Sequence, residues 1–132
     1  MKIDFNAVKD LPLPVLERIE RGLMSGFKKI DPLLALGDMN AVVKLPGAFG
    51  GMDRWGIDGL SKDPHLMEIY VDPSHPRFDD SELEERLSAL IAEEAHHCVR
   101  RRDPGFGDTL GKCLITEGLA KCFVEETGHP VC

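Results

Sequence analysis

Residues 91–100, which read IAEEAHHCVR, place two glutamates and two histidines in one short run. At the helical step of about 100° per residue, the apolar residues of this region share one stripe, namely Leu83, Leu87, Leu90, Ile91 and Cys98. Glu94 falls near the middle of that stripe, and Glu93 and His97 lie one turn apart on its flank. His96 projects to the opposite face. The pattern predicts a helix that turns Glu93, Glu94 and His97 towards the interior.

A carboxylate at the position of Glu94 loses its water on folding and needs a cation, a metal ion or hydrogen-bond donors in return. An arginine such as Arg54 or Arg86 is one candidate partner, and a metal ion is the other. Glu93 also has two possible roles, an ion pair with Arg100 on the exposed flank of the helix or a metal ligand. The residues of this helix alone leave both alternatives open.

A later helix, predicted over residues 108–127 with Asp108 as its N-cap, carries another carboxylate on an apolar face. Glu117 shares that face with Leu110, Leu114 and Val124. Gly118 beside it lacks a side chain and allows another helix to come close. A metal ion shared between the two helices would offset both burial costs, and a buried ion pair is the alternative for Glu117.

These segments resemble the gluzincin branch of the zincin metallopeptidases. In that branch an H-E-x-x-H helix is completed by a glutamate on a following helix. The chain is also similar to a bacterial family of predicted zinc-dependent proteases, in which an H-E-x-x-H-H helix precedes an E-G-L-A segment. The corresponding pieces here are EEAHH at residues 93–97 and EGLA at residues 117–120, and the resemblance extends over about residues 38–128. The strand HLMEIYVDP, residues 65–73, resembles the strand that such folds lay along the substrate cleft.

The resemblance implies Glu93, His97 and Glu117 as metal ligands and Glu94 as the general base of a metal-dependent peptidase. In H-E-x-x-H sites two ligands one turn apart hold the ion, and the adjacent glutamate takes a proton from the bound water. Zinc is the first expectation for the metal. Here Glu93 replaces the first histidine, so two carboxylates offset the charge of the ion and weaken its effect on water. The harder ligand set also moves the metal preference towards manganese or iron.

The same departure supports an alternative function. A zincin-like protein without the first histidine can be catalytically inactive and act as a binding or regulatory module. A carboxylate-bridged di-iron site, suggested by the E-x-x-H spacing of Glu94 and His97, is set aside because the chain has no second copy of it on another helix. Tyr70 is a candidate oxyanion donor, with strand packing as its simpler role. His65, His75, His96 and His129 are predicted to lie at the surface.

The order of periodic segments predicts an α+β fold in one zincin-like domain over residues 1–132. We expect an N-terminal helix over about residues 11–36, strands between about 38 and 72, and the motif helix over about 81–102. Residues 46–59 read as a glycine-rich loop or an irregular hairpin. Ser81 and Glu84 have the spacing of a capping box at the start of the motif helix. A small twisted sheet would pack against this helix and two others.

The composition narrows the classes of partner. A net charge of −7 argues against a nucleic-acid or anionic-membrane surface, and no apolar run is long enough to span a bilayer. A peptide or protein substrate remains as the expected partner. The cysteines, Cys98, Cys113, Cys122 and Cys132, form no C-x-x-C pair, which favours reduced thiols in a cytoplasmic protein.

Overall fold

The computed structural model describes residues 1–34, 36–47, 55–102, 120 and 122–124. Its elements follow in the order β1 (Lys2–Asp4), a short 3₁₀ helix (Asn6–Val8), α1 (Leu13–Ile30), β2 (Asn40–Lys44), β3 (Ile57–Asp63), β4 (Leu66–Val71) and α2 (Leu83–Arg100). Residues 120 and 122–124 are also helical. The predicted α+β class is confirmed, because in this part of the chain a four-stranded sheet packs against helices.

Helix α1 is bounded by prolines. Pro12 is its N-cap residue, and Pro14 lies in the first turn, where a missing backbone N–H leaves no hydrogen bond unmade. The helix ends at Ile30, earlier than the predicted end near residue 36. Pro32 explains the difference, since it has no N–H with which to continue the helical hydrogen bonds.

Two glycines of α1 bring it close to α2. A Cβ atom on Gly22 would lie 2.9 Å from the Cβ of Leu87, and one on Gly26 would lie 2.5 Å from the carbonyl oxygen of Ser88. Both glycines are buried on the same side of α1 as its apolar residues. The absence of a side chain at these two positions therefore sets how closely the two helices pack.

The sheet has the strand order β1-β2-β4-β3, with β1, β2 and β4 parallel and β3 antiparallel to β4. On β4 the predicted alternation is confirmed, since Met67, Ile69 and Val71 belong to the hydrophobic core while Glu68 and Tyr70 face away from it. Helix α2 packs mainly on α1 and β3. Its inward residues thus meet the edge of the sheet formed by β3.

Strand β3 corrects the expectation for β4, because β3 rather than β4 borders α2 at the edge of the described sheet. Its first residues lie in the segment 46–59, which was predicted as a glycine-rich loop or an irregular hairpin. The sequence of β3, IDGLSKD, lacks a regular apolar alternation, and β3 is an edge strand of the sheet that the described residues form. Strand β4 was expected along the cleft, but it pairs with β2 on one side and with β3 on the other.

Helix α2 begins at Leu83 without the predicted capping box. Glu82 is the N-cap residue and makes no side-chain cap, so the expectation for Ser81 is wrong. Asp80 instead accepts the N–H of Glu82 through its carboxylate at 2.9 Å and the N–H of Leu83 through its carbonyl oxygen at 3.0 Å. The hydrogen bond from Glu82 is the main reason why the pKa of Asp80 is lowered. A negative charge is thereby held at the helix N-terminus.

The C-terminal helical residues fall within the predicted range 108–127. Ala120 and Val124 are buried, and Val124 belongs to the hydrophobic core. The rest of that predicted helix, including Glu117, lies outside the described residues. Every helix in the described ranges is too short or too polar to traverse a lipid bilayer.

Candidate functional site

A cleft of about 230 Å³ separates α2 from the edge strand. One wall comes from β3 and the other from α2, and the lining residues are Gly59, Leu60, Ser61, Glu93, Glu94, His97 and Arg101. The cleft brings together all three site residues that were predicted on α2. Strand β3 contributes a wall in which no site residue was predicted.

Glu94 is buried, with 8% of its surface exposed, as the helical phasing predicts. The backbone of β3 reaches its side chain directly, because a Cβ atom on Gly59 would lie 2.7 Å from the Cγ of Glu94. A glycine inside a strand often marks such a close approach. The absence of a side chain at Gly59 leaves space for the Glu94 carboxylate beside the cleft.

Glu93 and His97 face the cleft one turn apart. The Oε1 atom of Glu93 lies 3.9 Å from the Nε2 atom of His97, and their side chains are 27% and 9% exposed. Two donors at about 2.1 Å from one tetrahedral ion are about 3.4 Å apart. A shift of about half an ångström would therefore let both atoms reach one ion, so this pair fits a shared metal.

Arg86 and Arg54 were the two arginines considered as ion-pair partners of Glu94. The Arg86 guanidinium lies over the ring of Trp55, 4.4 Å from its centroid, and its NH2 atom is 3.4 Å from a carboxylate oxygen of Glu82. Both of these contacts are near the N-terminal end of α2, about 12 Å along the helix from Glu94. Arg54, the other candidate, lies outside the described residues.

The third predicted ligand, Glu117, also lies outside the described residues, as does His129. Within residues 1–34, 36–47, 55–102, 120 and 122–124, no group of three or more His, Cys, Asp or Glu side chains converges closely enough to hold a metal ion. The described part of the site is thus a pair of candidate ligands, Glu93 and His97, with Glu94 beside them.

His96 does not lie at the open surface as predicted. Its ring packs against Phe123, with the ring centroids 5.2 Å apart, and its Nδ1 atom is buried. Burial lowers the pKa of His96, and the nearby His97 and Arg100 lower it further. The helical residues at 122–124 cover this side of α2, and a reading of α2 alone could not anticipate them.

The C-terminal end of the cleft is held by hydrogen bonds between α2 and β3. The Nε atom of Arg101 donates to the Oγ atom of Ser61 at 2.9 Å, and Ser61 Oγ lies 3.3 Å from the Sγ atom of Cys98. Arg102 donates to the carbonyl oxygens of Leu36 at 2.9 Å and Pro64 at 3.4 Å. Arg101 therefore ties the end of α2 to β3, and Arg102 ties it to the segments outside the strands at Leu36 and Pro64.

Tyr70 is not a cleft residue. It lies on the sheet face away from the core, and its hydroxyl donates to the Oε1 atom of Glu68 at 2.9 Å. Burial raises the pKa of Tyr70, and the bond to Glu68 raises it further. Among the described residues Tyr70 packs on the sheet and lies apart from the residues that line the cleft, which agrees with strand packing as its simpler role.

Glu68 is a second buried carboxylate, with 5% of its surface exposed. Burial raises its pKa, but hydrogen bonds from Lys44 and Tyr70 and the charges of Lys44 and Lys62 outweigh this, so the pKa is lowered overall. The Nζ atom of Lys62 lies 3.7 Å from Glu68 Oε1. Glu68 is thus stabilised by protein cations on the sheet face away from the core.

Residues 66–129 match the sequence model of a family described as Predicted Zn-dependent protease (DUF2268). The match covers just under half of the chain, and residues 38–65 of the expected range lie outside it. No curated protein and no solved structure matches the chain. The matched segment includes Glu93, Glu94, His97 and Glu117. The similarity supports a zinc-dependent protease-like protein with a divalent metal, zinc foremost, as its cofactor.

Proposed function

We propose that the protein is a metal-dependent peptidase whose site is the cleft between α2 and β3. The observation that carries this proposal is the buried Glu94 beside the ligand-spaced pair Glu93 and His97, all on one cleft wall. The similarity to a family described as Predicted Zn-dependent protease supports it independently. The proposal covers a zincin-like site with a variant E-E-x-x-H motif and a distal glutamate.

In this proposal Glu93, His97 and Glu117 hold the ion. When bound, a divalent metal supplies Lewis-acid polarisation of a water molecule and of the peptide carbonyl. His97 is a suitable neutral nitrogen donor, and the carboxylates are suitable oxygen donors for zinc. The partial exposure of Glu93 towards the cleft gives an ion access to this pair from solvent.

Glu94 has the role of the general base. Its carboxylate accepts the proton of the attacking water and later returns it to the leaving amine. The buried position restricts the carboxylate to the cleft side of α2, with the Gly59 backbone against its Cγ atom. Because β3 is an edge strand among the described residues, an extended peptide can lie along it and reach Glu94.

The carboxylate-rich ligand set is the feature that sets this site apart. Glu93 and Glu117 together offset the charge of a divalent ion, so the ion acidifies water less than it does with two histidines. We therefore expect slow turnover with zinc and a measurable response to manganese or iron. Activity assays should compare these metals at equal occupancy.

Metal content and peptide hydrolysis test the proposal together. Purified protein should contain zinc or manganese in stoichiometric amount, and His97→Ala or Glu117→Ala should remove it. Glu94→Gln should keep the metal and lose about a hundredfold or more in hydrolysis rate, as expected for a general base. Glu85→Ala, at an exposed carboxylate of α2, is the control and should change neither quantity. Metal content that neither ligand substitution lowers would end the ligand assignment.

The second candidate function is a catalytically inactive, zincin-like binding or regulatory module. The observation in its favour is Glu93 at the position where the motif has histidine. The substitution Glu93→His separates the two candidates. A peptidase activity that appears only in this variant would identify the natural protein as inactive, whereas wild-type activity abolished by Glu94→Gln would exclude the module.

A further inference from the structure

The cleft carries opposite charges at its two ends. Glu93 and Glu94 line it near the candidate metal ligands, and Arg101 lines it at the C-terminal end of α2. An anionic group is therefore attracted near Arg101. The peptidase proposal assigns no role to Arg101.

The Arg101 side chain is held in place by the sheet. Its Nε atom donates to Ser61 Oγ at 2.9 Å, and Ser61 is itself buried, with 6% of its surface exposed. Ser61 Oγ also contacts the Sγ atom of Cys98, which donates to the Leu66 carbonyl oxygen at 3.6 Å. A bond at Nε fixes the plane of the guanidinium, and a fixed guanidinium plane is suited to paired hydrogen bonds with a carboxylate.

The spacing along β3 sets the distance from the base. Glu94 meets β3 at Gly59, and Arg101 meets it at Ser61. Two strand residues span about 6.7 Å, which is also the length of two residues of an extended peptide. A peptide along β3 with its scissile bond at Glu94 would therefore place a group about two residues away beside Arg101.

We propose that Arg101 is a specificity-determining residue that binds a carboxylate of the peptide substrate, about two residues from the scissile bond. This inference rests on the proposed peptidase function, because the scissile bond is placed by Glu94. The carboxylate is either the free C-terminus of a short peptide or an Asp or Glu side chain.

Peptide binding to the zinc-loaded Glu94→Gln protein tests the role of Arg101, because this variant should not hydrolyse the bound peptide. The probes are fluorescein-labelled, alanine-rich peptides with one phenylalanine, measured by fluorescence anisotropy. One arm compares a free C-terminal acid with its amide, and the other compares Asp with Asn at each position in turn. The measured quantity is the affinity ratio of acid to neutral form within one protein, so a general loss of stability changes both affinities alike.

We expect the acid form to bind about tenfold tighter or more, as one charge-assisted hydrogen-bond pair provides. Arg101→Gln should reduce the ratio to about one, and Arg101→Lys should leave an intermediate ratio because it keeps the charge without the paired donors. Arg21→Gln removes an exposed arginine on α1 and is the control, with an unchanged ratio.

The outcomes separate the two proposals. An acid preference that survives Arg101→Gln, or the absence of any acid preference or of peptide binding, would overturn the role of Arg101. If Arg101→Gln removes the acid preference in the binding test, but wild-type protein hydrolyses none of the peptides that bind, Arg101 is a carboxylate-binding residue and the peptidase proposal is refuted. The arm that shows the preference identifies the source of the carboxylate.

Discussion

Gly59→Ala places a methyl group where β3 and α2 meet at the cleft. The new Cβ atom would lie 2.7 Å from the Cγ atom of Glu94 and 3.0 Å from the Cδ1 atom of Leu90. Carbon atoms in contact are about 3.5 to 4.0 Å apart, so Glu94 must move by about 1 Å or β3 must shift outwards. The substitution therefore displaces the proposed base without removing it.

The structure allows both consequences to be estimated. Overpacking of this kind destabilises a protein by about 1–3 kcal/mol, and the removal of a flexible glycine from a strand returns about 0.5–1 kcal/mol. We expect a net loss of about 1–2 kcal/mol. A displacement of about 1 Å at a reacting group lowers the rate by about a hundredfold. The hydrolysis rate should therefore fall much further than the folded fraction does.

Urea unfolding followed by the fluorescence of Trp55 measures the stability. Trp55 is the single tryptophan of the chain and is buried, so its emission should change on unfolding. The matched control is Gly59→Ala in a Glu94→Ala background, where the Cγ atom is absent and only the contact with the Cδ1 atom of Leu90 at 3.0 Å remains, so the loss of stability should be smaller. An equal loss of stability in both backgrounds would refute the close contact between Gly59 and Glu94.

Three further predictions concern packing, pH and thiol reactivity. Gly26→Ala should lower the free energy of unfolding by about 1 kcal/mol in urea titrations, because its Cβ atom would lie 2.5 Å from the Ser88 carbonyl oxygen. This overpacking outweighs a gain of about 1 kcal/mol in helix propensity, and a more stable variant would contradict the helix contact. Glu68→Gln should be less stable than wild type at neutral pH, and the difference in unfolding free energy should shrink as pH falls below 4.5. The reason is that the stability from a carboxylate with a lowered pKa is present above its unfolded pKa of 4.5 and is lost as pH falls through the lower folded pKa. A difference that stays constant down to about pH 3 would contradict the ion pairs of Glu68 with Lys44 and Lys62. Iodoacetamide should alkylate the exposed Cys122 well before Cys98, because burial raises the pKa of the Cys98 thiol. Peptide mapping by mass spectrometry measures the two rates, and equal rates would contradict the burial of Cys98.

The spacing of apolar residues predicted correctly those helices and strands that bury one face and expose the other. The apolar stripe of α2 placed Glu94 inside, and the alternation on β4 separated Met67 from Glu68, as the structure has them. Both inferences depend only on the geometry of one element. A helix or strand that buries one face shows this face in its own sequence.

The features that the sequence analysis missed depend on contacts between elements. The polar sequence of β3 forms a strand because β4 pairs with it, and Gly26 is important because Ser88 lies opposite. His96 was predicted to lie outside because the phasing of α2 contains no information about Phe123. The role of Arg101 depends on Ser61, which lies on β3, a different element of the chain.

The turn that joins β3 to β4 controls more than the shape of the hairpin. The pairing sets Gly59 opposite Ile69, with an irregularity between Ser61 and Asp63. A displacement of β3 by one residue would exchange the two sides of the strand and bring Leu60 towards Glu94 in place of glycine. An isobutyl group there would fill the space beside the carboxylate. An insertion or deletion at residues 64–65 could therefore abolish substrate access while every residue proposed for the chemistry remained in the chain.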